Sequence, residues 1–370
     1  MGQPDLNFSF DPNQPPNTYR SPQNPYYWKK NKPKADYWQQ DVHYSIQARL
    51  YEVRNTIEGN QTLTYHNNSR DTLRRLYFRC YPNAFSPNTE RHRLLEKQGF
   101  AQTYNERAQQ GLAMEIEEVL IVERGRKIKP TIYQEEDLLI VELSTPIAPG
   151  KFALLEIYFN TYFDNGSQPD CATQVYNQYG SKVFQGFDWF PKVCRYSRAY
   201  GWQRSPYEGE QTEGDLGAFD VELTLPNDYL CGANSFLLNE GRILPSFLKK
   251  ELQLKNFADT TGNLTPTPII EKKSDRIKIW KYHSENQSDF AFVASPIFRM
   301  AEYKINGTAV QFLVQEPHAQ QWYEMKDSML KFWGDMELLL GKSIQNKLII
   351  ADLPQARAHQ GLLSVNGDWE

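Results

Sequence analysis

The sequence predicts a mainly β chain: an antiparallel β-sandwich over residues 37–305, then the start of an α/β domain over 306–370. Three observations predict it. Apolar and polar residues alternate with a period of two through much of the first 305 residues. Gly, Pro, Asn and charged clusters interrupt that alternation at strand-length intervals. After Glu316-Pro317 the period becomes that of a helix.

Residues 1–36, rich in Pro, Asn, Gln and Tyr, carry neither period and read as an extended leader. From "HYSIQARLYEV" onward, Tyr44, Ile46, Ala48 and Leu50 fall on one face, and Glu58-Gly59 offers a hairpin connection into "NQTLTYHNNS". Leu73, Leu76, Phe78 and Cys80 repeat the alternation with one slip. The polar stretch 86–112 reads as an excursion containing some helix. Three further strands are expected between Glu117 and Phe163, the last two separated by Pro149-Gly150. A second β run extends from "GAFDVELTLP" to "RMAEYKINGTAVQFLVQ". Then Trp322, Met325, Met329, Phe332, Trp333, Met336 and Leu340 recur on one helical face, opened by Pro317 and closed by Gly341. "NKLIIADLP" follows as a buried strand. The stretch 306–370 is too short for an independent α/β core, so this second domain is expected to be incomplete and to expose an apolar face.

A net charge of -4 without a concentrated basic face argues against a nucleic-acid partner. Lys29, Lys30, Lys32 and Lys34 are diluted by Tyr, Trp and Pro, and read as part of a solvated leader. No run approaches the roughly 20 apolar residues of a transmembrane helix. "MGQPDLNFSF" lacks a signal-peptide pattern, and Leu6 stands where a myristoylation signal has Ser or Thr. The residues leave the compartment open. Cys80, Cys171, Cys194 and Cys231 show no C-x-x-C spacing; Cys80 and Cys194, in apolar runs, read as buried free thiols.

Motifs that carry chemistry are sparse. None of the six histidines forms H-x-x-x-H, so the H-E-x-x-H zinc motif is absent from these residues. His43 and His66 could face one another across a hairpin as a structural pair, with no third ligand suggested. There is no G-x-S-x-G elbow, phosphate loop or dinucleotide fingerprint. Glu208, Glu210, Glu213 and Asp215 form an acidic, Gly-containing loop that reads as solvated. "FDWFPK" with "YGW" could offer a carbohydrate-binding face, although aromatics in a β domain are first expected in the core.

One combination of motifs is more specific. Tyr37-Trp38-Gln39-Gln40 precedes the Tyr44/Ile46 strand. Ile57 and Gly59 precede Tyr65, Asn67, Asn68 and Ser69, and a further strand ends in Asn83-x-Phe85. "FDWFPK", "GWQ", "GAFDVELTLPNDYLCGAN" and "SDFAFVASPIF" follow in order. From about residue 37 to the end the chain resembles the aminopeptidase N-type zinc metallopeptidases, in their Bacteroidetes-like bacterial branch. The resemblance implies a saddle-shaped β-sandwich followed by the start of a thermolysin-like α/β catalytic domain. In that family two histidines of H-E-x-x-H and a later glutamate hold zinc, and the motif's own glutamate activates the bound water. A G-x-M-E glutamate, often assisted by a first-domain Gln or Glu, binds the substrate's free amino group.

"VNGDWE" matches that segment at Gly367 and Glu370, with Trp369 in place of Met, which makes Glu370 the candidate amino-group contact. Gln178 and Gln185 are candidate assistants, and spacing does not choose between them. The resemblance therefore implies the N-terminal part of a zinc aminopeptidase-like enzyme, with no catalytic or metal-binding residues and no cofactor in this stretch. Zinc and the peptide substrate belong to the complete enzyme, and contact with a missing catalytic portion is expected. Relatives with signal peptides imply a periplasmic or secreted location. The alternative is a non-catalytic β-sandwich binding module for peptide, protein or glycan.

Overall fold

A computed structural model describes residues 29–30, 35–99, 106–166, 171–205, 214–259, 264–273, 276–340 and 347–367. The chain is mainly β, with antiparallel sheets. It divides into two compact units. The first comprises Met1–Gln174, Asp188–Leu223 and His283–Phe290; the second comprises Val175–Phe187, Thr224–Tyr282 and Ala291–Glu370.

In the first unit the strands Asp41–Tyr51, Thr56–His66, Phe152–Tyr162 and Met114–Glu123 lie side by side, each antiparallel to its neighbour. Tyr44, Ile46, Ala48 and Leu50 are all buried on one face, as their alternation predicts. A second sheet orders Lys192–Val193, Leu73–Arg79, Leu138–Ile147 and Ile132–Glu135. The slip read in the third strand corresponds to a register shift between Leu73 and Arg75. Pro149-Gly150 forms the expected turn, with Gly150 at φ +74°. The 86–112 excursion contains the helices Glu90–Lys97 and Glu106–Gln109. Asn83 closes it: its side chain donates to the Met114 carbonyl (2.8 Å) and accepts from the Met114 amide (2.7 Å).

The structure corrects the reading of Gly59. The chain reverses at Glu52–Asn55, with Asn55 at φ +53°, and Gly59 sits mid-strand opposite Ala48 and Phe159. The Phe159 ring lies across Gly59, where a Cβ would enter the ring's van der Waals surface. This glycine serves close approach, not reversal. His43 and His66 do not face one another either. The register sets His43 against Thr64 and His66 against Asp41. His66 packs on Phe152 instead, with ring centroids 5.4 Å apart.

Asp188–Val193, the "DWFPKV" segment, runs through the interior of this unit. Gln61 Nε2 donates to the Pro191 carbonyl (2.9 Å), Thr161 Oγ1 to the Trp189 carbonyl (2.8 Å), and the Val193 amide to the Tyr44 hydroxyl (2.9 Å). Trp189 and Phe190 are fully buried, so they present no carbohydrate-binding face. Lys192 is buried between Asp188 (2.9 Å) and Asp289 (3.8 Å), with its ammonium 4.8 Å from the centre of the Tyr81 ring.

The leader and acid-loop readings fall mostly outside the described residues: Lys32, Lys34, Glu208, Glu210 and Glu213 lie there. Lys29 pairs with Asp41 at 2.8 Å. Asp215 is not solvated: it is buried and accepts from the Tyr196 amide at 3.3 Å. All four cysteines are buried free thiols, and burial pushes Cys194 and Cys231 up to about 12.

In the second unit Leu230–Ala233, Phe292–Ser295, Ser181–Gly186 and Thr173–Gln178 form a four-stranded sheet. A five-stranded mixed sheet orders Phe298–Ile305, Thr308–Gln315, Lys347–Asp352, Leu362–Val365 and Arg357–His359. Thr308–Gln315 pairs parallel with Lys347–Asp352, and the helix Ala319–Leu340 lies between them in the chain. A parallel pair requires such a crossover. Trp322 is buried with Val310, Phe312, Leu348 and Ile350. Phe332 and Leu340, expected on the apolar face, are 65% and 75% exposed. The helix instead buries Glu337, which accepts from Asn306 (3.0 Å) and Thr308 (3.2 Å). Gly341 lies outside the described residues.

Two predictions follow from the first unit. Gly59→Val supplies a better strand former but collides with Phe159. A loss of about 2 kcal/mol is expected in urea unfolding, and Phe159→Ala combined with it should cost less than the sum of the single changes. The second concerns pH. Burial raises the Asp215 carboxyl to about 7, against the lowering effects of the Tyr196 amide and Arg195. The unfolded chain therefore loses this proton first, near pH 4, and folding stability contributed here falls as pH rises from about 4 to 7. Asp215→Asn should flatten that slope in melting temperatures measured from pH 4 to 8; an unchanged slope refutes the assignment.

Candidate substrate-binding site

The second unit contains a polar network built from three distant parts of the sequence. Its centre is Asp352, the last residue of the Lys347–Asp352 strand, and fully buried. Asp352 Oδ2 accepts from the Gln315 amide at 3.1 Å and lies 2.7 Å from His318 Nδ1. Asp352 Oδ1 accepts from the Gly367 amide at 3.1 Å. His318 Nε2 is 2.7 Å from the Tyr179 hydroxyl, and the Tyr179 ring meets the imidazole edge-on. His318 thus bridges the Asp352 carboxylate and the Tyr179 hydroxyl through its two ring nitrogens. Burial pushes the Asp352 carboxyl up, and the hydrogen bonds from His318, Gln315 and Gly367 work against that rise.

Local sequence explains each member's position. His318 stands in the turn Glu316–His318 that leads into the long helix, opened by Pro317. Tyr179 and Gly180 have φ +50° and +74°, two consecutive left-handed residues joining Thr173–Gln178 to Ser181–Gly186. A two-residue hairpin turn of this kind normally takes Asn-Gly or Gly-Gly. Gly367 admits no side chain: a Cβ would run into Asp352 Oδ1 and come within 2.7 Å of Trp322 Nε1.

The candidate glutamines now separate. Gln178 is half-buried at the end of its strand, next to the Tyr179 turn. Gln185 is fully buried, paired with Val293 in the middle of the same sheet. Glu370 lies outside the described residues, as does Trp369. His359 packs on Phe187, with ring centroids 4.3 Å apart.

The Y-W-Q-Q and N-N-S residues of the first unit do structural work. Gln40 Oε1 accepts from the Asn68 amide (2.7 Å), and Asn68 Nδ2 donates to the Gln39 carbonyl (2.9 Å) and to Asp41 (3.0 Å). Asn67 donates to the Ile147 and Asp71 carbonyls at 2.9 and 2.7 Å. The two motifs thus lock the paired strand ends together.

A second titratable cluster crosses three strands of the first unit. His43 Nε2 and His283 Nδ1 each lie 2.7 Å from an oxygen of Asp220, and His283 Nε2 lies 3.3 Å from Glu285. Burial opposes charge on His283, but Asp220 and Glu285 outweigh it and raise the imidazole to about 9. Burial would raise the Asp220 carboxyl, yet the two histidines hold it well below the usual range. Among the described residues no group of three or more His, Cys, Asp or Glu side chains is arranged to hold a metal ion. No described helix is long and apolar enough to cross a membrane.

Because the folded pKa of His283 lies above its ordinary value, its stabilising contribution is complete below about pH 6.5 and is lost as pH rises through 9. His283→Asn should remove that loss from unfolding free energies measured between pH 6 and 10; an identical slope in the variant refutes it.

No protein-family model matches the chain, and no curated protein matches it. Among solved structures, the chain is similar to a mutant M1 zinc metallopeptidase from Deinococcus radiodurans bound to a Tyr-Ser-Ala substrate. The TM-score is 0.47 and the sequence identity 13%, over 89% of this chain and 61% of that one. The chain thus spans about three fifths of the length of that structure, and the likeness concerns fold alone.

Proposed function

We propose that this chain is the N-terminal part of a zinc aminopeptidase-like metallopeptidase, an enzyme that as a whole removes N-terminal residues from peptides. In this reading residues 1–370 do not themselves hydrolyse peptide bonds. Glu370 meets the substrate's free amino group and Gln178 assists it. Gln178 is preferred to Gln185 because it stands half-buried beside a turn, whereas Gln185 is sealed within its sheet.

The observation that supports this reading most directly is Gly367. The motif resemblance marks this residue as the glycine of a G-x-M-E segment in which Trp369 replaces Met, and a Cβ added there would run into Asp352 Oδ1. An ammonium held by a carboxylate and a glutamine fixes the end of a peptide and so the position of its first peptide bond. The chemistry of bond cleavage requires groups that these residues do not supply.

Two measurements test the proposal. The purified 370-residue chain should contain no stoichiometric zinc and should not hydrolyse aminoacyl-anilides. Bound zinc together with hydrolysis abolished by a chelator would overturn the non-catalytic assignment. The gene should encode H-E-x-x-H downstream of Glu370; a native reading frame that stops at Glu370 favours the binding-module alternative.

A further inference from the structure

Lys347 opens the strand Lys347–Asp352 and is half-buried. Its Nζ donates to the carbonyl of the fully buried Ser235 at 2.8 Å. An ammonium withdrawn from water normally keeps a carboxylate beside it, because desolvation penalises an unpaired charge. Among the described residues no carboxylate lies within ion-pair distance of Lys347. The two acids whose charges reach it are both engaged elsewhere. Lys249 Nζ pairs with Glu240 at 2.7 Å and with Glu302 at 3.1 Å, and the other Glu302 oxygen accepts from Gln311 at 3.2 Å.

The consequence is an amine that gives up its proton readily. Burial pushes Lys347 down to about 8; Glu302, Glu240 and Cys231 oppose that fall and Lys249 adds to it. Lys304 stands two strands away in the same row of the sheet. At pH 7 about a tenth of the Lys347 amine is then neutral, roughly two orders of magnitude more than for an ordinary lysine. The neutral amine is the nucleophile, and desolvation is a general way of activating it. Its row neighbour on the adjacent strand is Ala309, an exposed residue whose single methyl leaves that flank of the side chain open. The site also suits one kind of product. The Ser235 carbonyl takes a single donor, and the surroundings disfavour charge; an acylated lysine carries one N–H and no charge.

We propose that Lys347 is an acylation site that takes its acyl group from a thioester. The lysine nitrogen bonds to the acyl carbon as the carbon–sulfur bond breaks. One amine proton leaves with the released thiol, and the other remains as the amide N–H that donates to Ser235. An uncharged thioester fits this place better than an anionic acyl donor, since Glu240 and Glu302 outnumber Lys249 around it.

The test uses the whole 370-residue chain and an uncharged probe, S-acetyl-N-acetylcysteamine, with acetylation of each lysine followed by peptide mass spectrometry. The exposed Lys304 serves as reference. At pH 7 Lys347 should be acetylated about tenfold faster than Lys304, and its rate should stop rising near pH 8. Lys249→Met frees both carboxylates and should slow the acetylation of Lys347 at pH 7 about threefold, with the Lys304 rate unchanged. A Lys347 rate no greater than that of Lys304 at pH 7, or one that climbs without levelling to pH 10, overturns the proposal. If Lys249→Met leaves the Lys347 rate as it was, the missing counter-ion is not what activates the amine, and the proposal fails on that ground.

Discussion

The interior of the first unit depends on one buried cation. Lys192 is almost wholly enclosed, and moving an ammonium out of water costs several kcal/mol unless it is paired. Burial alone would lower its pKa, but Asp188 and Asp289 outweigh that effect and hold it charged, well above its ordinary value. The two acids lie on opposite sides of it in sequence, Asp188 four residues before and Asp289 at the far end of the unit's last segment. The pair therefore fixes the "DWFPKV" segment to the segment that ends at Phe290, where Trp189 Nε1 donates to the Phe290 carbonyl at 3.0 Å. This segment contains Pro191, which has no amide proton, and it passes through the core largely without a strand partner. Its carbonyls are satisfied instead by Gln61 and Thr161, polar residues on otherwise apolar strand faces.

That arrangement explains where the sequence was legible and where it was not. Period-two alternation depends only on which face meets the core, so Tyr44 to Leu50 and the slipped Leu73–Phe78 strand could be read directly. Gly59 was ambiguous because glycine serves both turns and close approaches, and only the position of Phe159, a hundred residues later, decides between them. "FDWFPK" left a carbohydrate-binding face open beside the core role expected first, because Gln61 and Thr161, which satisfy its carbonyls, lie on other strands. Asp215 looked like one member of an acidic loop, since nothing local shows that its side chain turns inward. Phe332 and Leu340 fit a helical period, but the helix's contact with its sheet is made chiefly by Trp322 and its neighbours.

The candidate site was only partly legible for the same reason. The order of short motifs offered Gln178, Gln185 and the Gly367 segment as candidates without choosing between the glutamines, and only the fold shows that one is half-buried beside a turn and the other enclosed in its sheet. The Asp352 network links residues 34 and 139 positions apart, beyond any local period. Its traces in the sequence are slight: a Tyr-Gly pair where a hairpin turn calls for Asn-Gly, an aspartate closing the apolar strand "KLIIAD", and a glycine in "VNGD". Each has an innocent local explanation. They gain meaning only when the fold brings them together.

Within the second unit the contrast between two buried acids is informative. Glu316 is paired with Arg299, a permanent cation that also stacks on Phe257 and donates to the Thr267 carbonyl. Glu316 in turn accepts from the Thr267 amide and hydroxyl, so the pair staples that stretch to the sheet. Guanidinium suits such a role because its charge does not depend on pH and its fork reaches several acceptors at once. Asp352, one strand away from the same helix start, has no such cation. It is met by an imidazole and two backbone amides, and burial pushes its carboxyl up against their effect. What the imidazole offers in exchange is a second nitrogen, which carries the carboxylate's orientation on to the Tyr179 hydroxyl at the turn.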